Sequence, residues 1–162
     1  MKITLLCIGK TTFQFVEKGM AMYEERLGHY CRYSTVYIPD LKNVSALSKE
    51  QIKQKEGELI LKELKKCRVA PHVVLLDERG EKFTSLKWAS HLQKRMNLSG
   101  DAKEIFFVIG GAYGFSEEVY AAANEKLSLS DMTVSHQLVR LFFIEQLYRA
   151  FTIMRGEQYH HE

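Results

Sequence analysis

Residues 105–114 read Ile-Phe-Phe-Val-Ile-Gly-Gly-Ala-Tyr-Gly, five apolar residues followed directly by two glycines. An apolar run without polar alternation is typical of a strand that is covered on both faces, as in a parallel sheet. Glycines at the end of such a strand let a ligand approach the backbone closely, because no Cβ stands in the way. The same glycines are also typical of a tight turn. The stretch therefore predicts a buried strand and leaves the role of its glycines open.

The rest of the chain alternates short apolar runs with helical patterns. The other strand candidates are residues 3–8, 34–38 and 73–76, and a short run near 127–129. This alternation predicts an α/β fold with a mostly parallel sheet flanked by helices, and we expect residues 1–162 to form one domain. In such folds ligands bind beyond the carboxyl ends of the strands. Asp77 and Gly110 stand at two of those ends.

Four helices are predicted between the strands. Apolar residues at spacings of three and four from Phe13 to Tyr30 indicate the first helix. A capping box at residues 48–51 opens a second helix, which runs to about residue 66. A less regular pattern over residues 86–96 indicates the third helix, and Ser116 is a capping residue for the fourth.

A fifth helix, predicted over residues 136–154, is apolar on nearly every face. A helix that is apolar all round must be buried all round. In so small a domain, we interpret one face as packed on the sheet and the opposite face as a homodimer interface. The alternative is that it forms the central helix of a monomer.

Composition bounds the class of protein. Of 162 residues, 46% are hydrophobic and 27% are charged, as in ordinary soluble domains. No run approaches the roughly 20 apolar residues needed to cross a membrane. The formal net charge of +3 is too small to identify a nucleic-acid-binding protein by itself. Three widely spaced cysteines, Cys7, Cys31 and Cys67, form no CxxC pair, which suits a reducing cytoplasm.

Several familiar motifs are missing from the sequence. The chain contains neither GxGxxG nor GxxxxGK[ST], which disfavours a nucleotide-binding oxidoreductase. His136, His160 and His161 have no acidic or cysteine partners at ligand spacing, so we predict no metal site. Residues 127–134 form either a strand with a capped helix start or the wall of a pocket. Three arginines on or after the last helix either bind phosphate or are ordinary surface charges: Arg140, Arg149 and Arg155.

Four strings of the sequence, taken in order, resemble the ribosomal RNA large subunit methyltransferase H family of the SPOUT superfamily. They are Ile-Gly-Gly-Ala-Tyr-Gly at 109–114, Leu-Ser-Asp-Met-Thr at 129–133, Leu-Tyr-Arg-Ala at 147–150 and Tyr-His-His at 159–161. The resemblance extends over the whole chain. It departs at Ser135, where members commonly have proline before the histidine; serine lifts the backbone restraint that proline imposes.

The resemblance implies an enzyme and its setting. It implies a cytoplasmic homodimer that uses S-adenosylmethionine, without a metal, to methylate N3 of a pseudouridine in 23S ribosomal RNA of the assembled ribosome. It also implies a SPOUT-type fold with a C-terminal trefoil knot, which periodicity does not reveal and which is exceptional among folds.

The resemblance also implies which residues form the site. The cofactor pocket is expected to contain Leu76, Gly110, Leu129, Ser130, Asp131, Met132, Thr133 and Val134. For catalysis, His160 is expected to serve as a base, since an ordinary histidine titrates near neutral pH. Tyr159 is expected to stack on or hydrogen-bond to the target base, and Arg149 to hold a phosphate or stabilise an anionic ring.

A second function is compatible with the same sequence. A non-enzymatic ribosome-binding or assembly factor that retains a nucleotide-sized pocket differs only in what it binds. Such a factor has no reason to prefer S-adenosylmethionine over adenosine, so cofactor binding discriminates between the two functions.

Overall fold

The computed structural model describes residues 1–98 and 103–161, and all five predicted strands and five predicted helices form. A short 3-10 helix, Val44–Ala46, precedes α2. In chain order the main elements are β1 Lys2–Ile8, α1 Gln14–Leu27, β2 Arg32–Ile38, α2 Lys49–Leu64, β3 His72–Lys82, α3 Ser85–Leu98, β4 Glu104–Ile109, α4 Glu117–Ala122, β5 Glu125–Ser128 and α5 Leu138–Met154.

The five strands form one sheet in the order β2-β1-β4-β3-β5, and every neighbouring pair is parallel. Leu5 of β1, for example, lies opposite Thr35 of β2 on one side and Phe107 of β4 on the other. Because all strands run the same way, their carboxyl ends meet at one edge, which we call the carboxyl edge. This confirms the predicted α/β class with a parallel sheet.

Alternation along β1 explains how the sheet is covered. Ile3 and Leu5 face a core formed with α1, α3 and α5, whereas Leu6 and Ile8 face a second core formed with α2 and α4. Successive residues of a strand point to opposite faces. A strand buried on both faces is therefore mostly apolar, and the buried hydroxyl of Thr4, a polar exception within β1, is hydrogen-bonded to Ser34 and Glu104.

The third strand is longer than predicted. It continues through residues 77–82, and Leu127 of β5 pairs with both Leu76 and Glu81, so residues 77–80 bulge out of the ladder. A Cβ on Gly80 would lie 2.6 Å from the backbone of Leu127. The bulge therefore crosses β5 at a distance that only glycine permits. The sequence Asp-Glu-Arg-Gly is polar and typical of a turn, which concealed the continuation of the strand.

Helix starts follow the predicted capping residues. The Ser48 hydroxyl accepts a hydrogen bond from the Gln51 N–H at 3.2 Å, and the Gln51 side chain accepts one from the Ser48 N–H at 2.8 Å. The Ser116 hydroxyl likewise accepts a bond from the Val119 N–H at 3.4 Å. The final helix begins at Leu138 rather than at residue 136, and in the turn before it the Ser135 hydroxyl accepts a hydrogen bond from the Leu138 N–H at 3.2 Å.

Helix α5 lies on the sheet between α1 and α3 and contacts both of them. Its inward face is fully buried and includes Phe143, Ile144 and Leu147. Its opposite face is less covered, since Leu138 is 43% exposed and Phe142 only half-buried. No helix within the described ranges is long and apolar enough to cross a membrane.

Candidate active site

A cleft of about 430 Å³ opens at the carboxyl edge, beside the ends of β3, β4 and β5. This volume falls within the range of small-molecule and cofactor sites. All eight residues predicted for the cofactor pocket line it: Leu76, Gly110, Leu129, Ser130, Asp131, Met132, Thr133 and Val134. Residues far apart in sequence are thus gathered around one space.

The glycine loop after β4 forms one wall of the cleft. A Cβ on Gly110 would come within 3.0 Å of the Phe115 ring, and a Cβ on Gly111 would collide with the Glu56 carboxyl group. Gly114 has a φ of +84°, a conformation that favours glycine, and its N–H donates to the Gly111 carbonyl at 3.2 Å. The loop therefore needs its glycines for a tight turn and also presents bare backbone to the cleft.

The opposite wall is the loop after β5, and it is held by its own polar groups. The Ser128 hydroxyl donates to the Ser130 carbonyl at 3.2 Å, and the Ser130 hydroxyl accepts from the Met132 N–H at 2.9 Å. Asp131 forms an ion pair with Lys82 at the end of β3. Met132 is 80% exposed. This wall offers backbone groups and apolar side chains, including Leu129 and Met132, which suits contact with a flat heterocycle.

Asp77 and Tyr120, which the predicted set of cofactor residues does not include, form a hydrogen-bonded pair in the lining of the cleft. Asp77, at the start of the β3 bulge, accepts hydrogen bonds from the Tyr120 hydroxyl and from the Arg79 N–H, the latter at 2.9 Å. Burial raises the pKa of Tyr120, and its bond to Asp77 raises the pKa further. Tyr120 gave no sequence signal because it comes from α4, about forty residues along the chain, whereas Asp77 was identifiable as a strand end.

The three predicted catalytic residues also meet, but in a different place. Nδ1 of His160 lies 3.1 Å from the Arg149 guanidinium, whose carbon lies 4.7 Å from the centroid of the Tyr159 ring. Glu145 links the group, because it accepts bonds from Arg149 at 2.5 Å and from the Tyr159 hydroxyl at 2.9 Å. Residues near the end of the chain thus fold back onto α5.

The electrostatics of this cluster set the proton positions. Burial raises the pKa of Tyr159, and its hydrogen bonds to Tyr23 and Glu145 raise it further, so the phenol stays neutral. Burial alone would lower the pKa of Arg149, but the bond to Glu145 raises it. A guanidinium can only donate, so Nδ1 of His160 is the acceptor in their contact and a neutral ring carries its proton on Nε2.

The cluster and the cleft are separate within one chain. The cleft reaches α5 at Val139, near its first turn, and among the described residues none from the Arg149 cluster lines the cleft. At a rise of 1.5 Å per residue, the ten residues from Val139 to Arg149 span about 15 Å. The predicted cofactor residues therefore lie together in the cleft, and the predicted catalytic residues lie together on α5. Within one chain these two groups are not in contact.

Arg140 is neither a phosphate ligand nor an ordinary surface charge. It is 2% exposed, and its guanidinium donates to the Ile8 carbonyl at 2.8 Å and to the Thr11 hydroxyl at 3.0 Å. It ties the start of α5 to the end of β1 and is not available to a phosphate.

A parallel sheet with a cofactor-sized cleft at its carboxyl edge, lined by a glycine loop, defines a ligand-binding α/β protein. The family model described as "Predicted SPOUT methyltransferase" matches residues 1–160. The chain belongs to this SPOUT methyltransferase family and is therefore an enzyme.

Relatives named ribosomal RNA large subunit methyltransferase H match the chain from end to end. The protein of Parabacteroides distasonis is 52% identical over 162 residues, which cover 100% of both chains. That of Christiangramia forsetii is 53% identical over 161 residues, 99% of both chains, and that of Bacteroides thetaiotaomicron is 49% identical over 162 residues, 100% of both. The resemblance identified from the four sequence strings is thus confirmed.

Proposed function

We propose that this chain transfers a methyl group from S-adenosylmethionine to N3 of a pseudouridine in 23S ribosomal RNA, within the assembled ribosome. The observation that carries the proposal is the convergence of all eight predicted cofactor residues on one cleft. End-to-end similarity to relatives that are named for ribosomal RNA methylation supports it. A ribosomal substrate and three free cysteines fit a cytoplasmic enzyme whose residues 1–162 form one domain.

The cleft suits this cofactor. Bare backbone at Gly110 and the polar loop of residues 128–134 offer hydrogen-bonding groups around a partly apolar space that includes Leu76, Leu129 and Val139. An adenosine needs this combination of an apolar slot and a few placed polar groups. When bound, S-adenosylmethionine supplies a methyl group on a positively charged sulfur, already activated for transfer.

The residues of the chain then have to position the acceptor and remove its proton. We assign His160 as the base, acting through Nδ1 once the substrate draws Arg149 away from it. Arg149 then contacts a phosphate or the anionic ring. The neutral Tyr159 stacks on or donates to the target base. In-line placement of donor and acceptor accounts for much of the rate acceleration in such a transfer.

A homodimer would bring the Arg149 cluster of one subunit to the cleft of the other. The half-covered outer face of α5, with Leu138 and Phe142, offers an apolar surface to a second copy. In our proposal the partner subunit's tail completes the site, because the roughly 15 Å along α5 keeps a subunit's own His160 from its own cleft.

The decisive experiment is transfer of labelled methyl from S-adenosylmethionine to ribosomes that lack the modification, with the product mapped to single bases. We expect one labelled pseudouridine. Failure of both transfer and cofactor binding would reject the enzyme in favour of the ribosome-binding factor. Cofactor binding with transfer to another nucleotide would reject the target while keeping the activity.

A further inference from the structure

The β3 bulge places an unusual carboxylate in the cleft. The Asp77 side chain is only 7% exposed although it lines the cleft, whereas the Asp131 side chain is 77% exposed and paired with Lys82. Glu78, next in the bulge, is also exposed. Among the cleft carboxylates of the described residues, Asp77 is the one sheltered from water.

The Asp77 carboxylate is stabilised by the dipoles of neutral groups rather than by a buried cation. Asp77 accepts from the Tyr120 hydroxyl and the Arg79 N–H, which are both neutral donors. The Arg79 guanidinium is 3.9 Å away, and its side chain is 76% exposed, so water screens most of that pairing. A carboxylate offers about four acceptor positions, and two neutral donors leave its charge largely uncompensated.

A buried, uncompensated charge favours a ligand of opposite sign. The expected donor is positively charged at sulfur, whereas the product left after transfer is a neutral thioether, because the electron pair of the broken C–S bond stays on sulfur. We propose that Asp77 recognises this positive charge, so that the cleft prefers S-adenosylmethionine over S-adenosylhomocysteine. The inference rests on the proposed function. It also gives product release a cause, since the attraction ends when the charge is lost.

The test is calorimetric binding of both ligands to the full-length protein and to Asp77→Asn. The preference is the ratio of the affinities for S-adenosylmethionine and S-adenosylhomocysteine. We expect the variant to lower this ratio about tenfold, which is the smallest effect expected when an opposite charge at close range is removed. Affinity for S-adenosylhomocysteine should change much less. Glu78→Gln removes the same charge from a neighbouring, exposed position and should alter the preference less than about twofold.

One further measurement keeps the inference open to refutation if Asp77→Asn fails to fold. With the unaltered protein, sinefungin, in which a carbon that carries a protonated amine replaces the methylated sulfur, should bind more tightly than S-adenosylhomocysteine.

An equal affinity of the unaltered protein for the cationic and the neutral ligands would overturn the inference. So would an unchanged preference in folded Asp77→Asn, or equal effects of the Asp77 and Glu78 variants. If the unaltered protein binds none of these ligands, the proposed function itself is wrong.

Discussion

At the scale of single residues, the carboxyl group of Glu56 decides what can stand at position 111. Glu56 is 7% exposed, its Oε1 has no hydrogen-bond partner among the described residues, and burial raises its pKa, with the charge of Asp40 raising it further. Gly111→Ala would drive a Cβ into that carboxyl group. We expect a loss of about 2 kcal/mol in the free energy of unfolding, measured by urea denaturation, as for overpacking elsewhere.

The control for this prediction is a double-mutant cycle. In a Glu56→Ala background the space above Gly111 is free, so Gly111→Ala should cost little there. Groups in direct contact show coupling energies of about 0.5–3 kcal/mol. Strictly additive effects would mean that the cost arises from the backbone conformation and not from Glu56.

The base assignment is also tested at this scale. His160→Ala should slow methyl transfer about 100-fold or more, because general bases contribute roughly that factor. The affinity for S-adenosylmethionine should change little, since the variant leaves every residue of the cleft lining in place. His161→Ala, which removes a neighbouring exposed imidazole, is the matched control. An unaltered transfer rate in His160→Ala at neutral and high pH would remove His160 from the mechanism.

At the scale of secondary-structure elements, an ionic clamp holds β5 to β3 and α3. Glu125 of β5 accepts bonds from His72 of β3 and His91 of α3, both at 2.6 Å, and lies 2.5 Å from Arg95. Burial alone would raise the pKa of Glu125, but these partners lower it to about 2. The ionised carboxylate therefore stabilises the attachment of the edge strand.

A carboxylate whose pKa is lower in the folded state stabilises the fold above its unfolded pKa, and this stability is lost as the pH falls through the folded pKa. Glu125→Gln should therefore reduce the free energy of unfolding by about 1–2 kcal/mol at pH 7, after allowance for solvent screening. The difference from the unaltered protein should shrink between about pH 4.5 and pH 2. Denaturant titrations across that range measure it, and a difference independent of pH would contradict the clamp.

At the scale of the whole molecule, the separation of cleft and tail predicts complementation. A variant damaged in the tail, His160→Ala, and one damaged at the cleft wall, Gly110→Val, should each lose most of its activity as a homodimer. If each site combines the cleft of one subunit with the tail of its partner, mixed dimers regain one intact site of two. We therefore expect activity of up to about one quarter of the unaltered protein in a random equal mixture, because half of its dimers are mixed. Transfer assays on co-expressed, separately tagged variants measure this, and no recovery in verified mixed dimers would place both halves in one subunit.

The sequence predicted the secondary-structure elements better than the tertiary contacts between them. The run ending at Ile109 and the capping box at Ser48 were identifiable because hydrophobic period and capping are local properties. Arg140 was not, because charge ordinarily indicates exposure, and its burial depends on a carbonyl at Ile8. The eight cleft residues came from the family resemblance, since no periodic signal joins Leu76 to the loop after β5.

The trefoil knot stays a prediction at this scale. Knotting is a property of the path of the whole chain, and neither apolar period nor capping carries information about it.

The strand order has a consequence for how the protein is made. β4 lies between β1 and β3, yet it is synthesised after both of them. Until residue 109 has left the ribosome, β1 and β3 each have an open hydrogen-bonding edge where β4 will pair. Contacts of such long sequence separation form slowly, and partly paired parallel strands are prone to aggregate. The growing chain is thus most vulnerable for about the hundred residues that separate its first strand from the strand that closes the sheet.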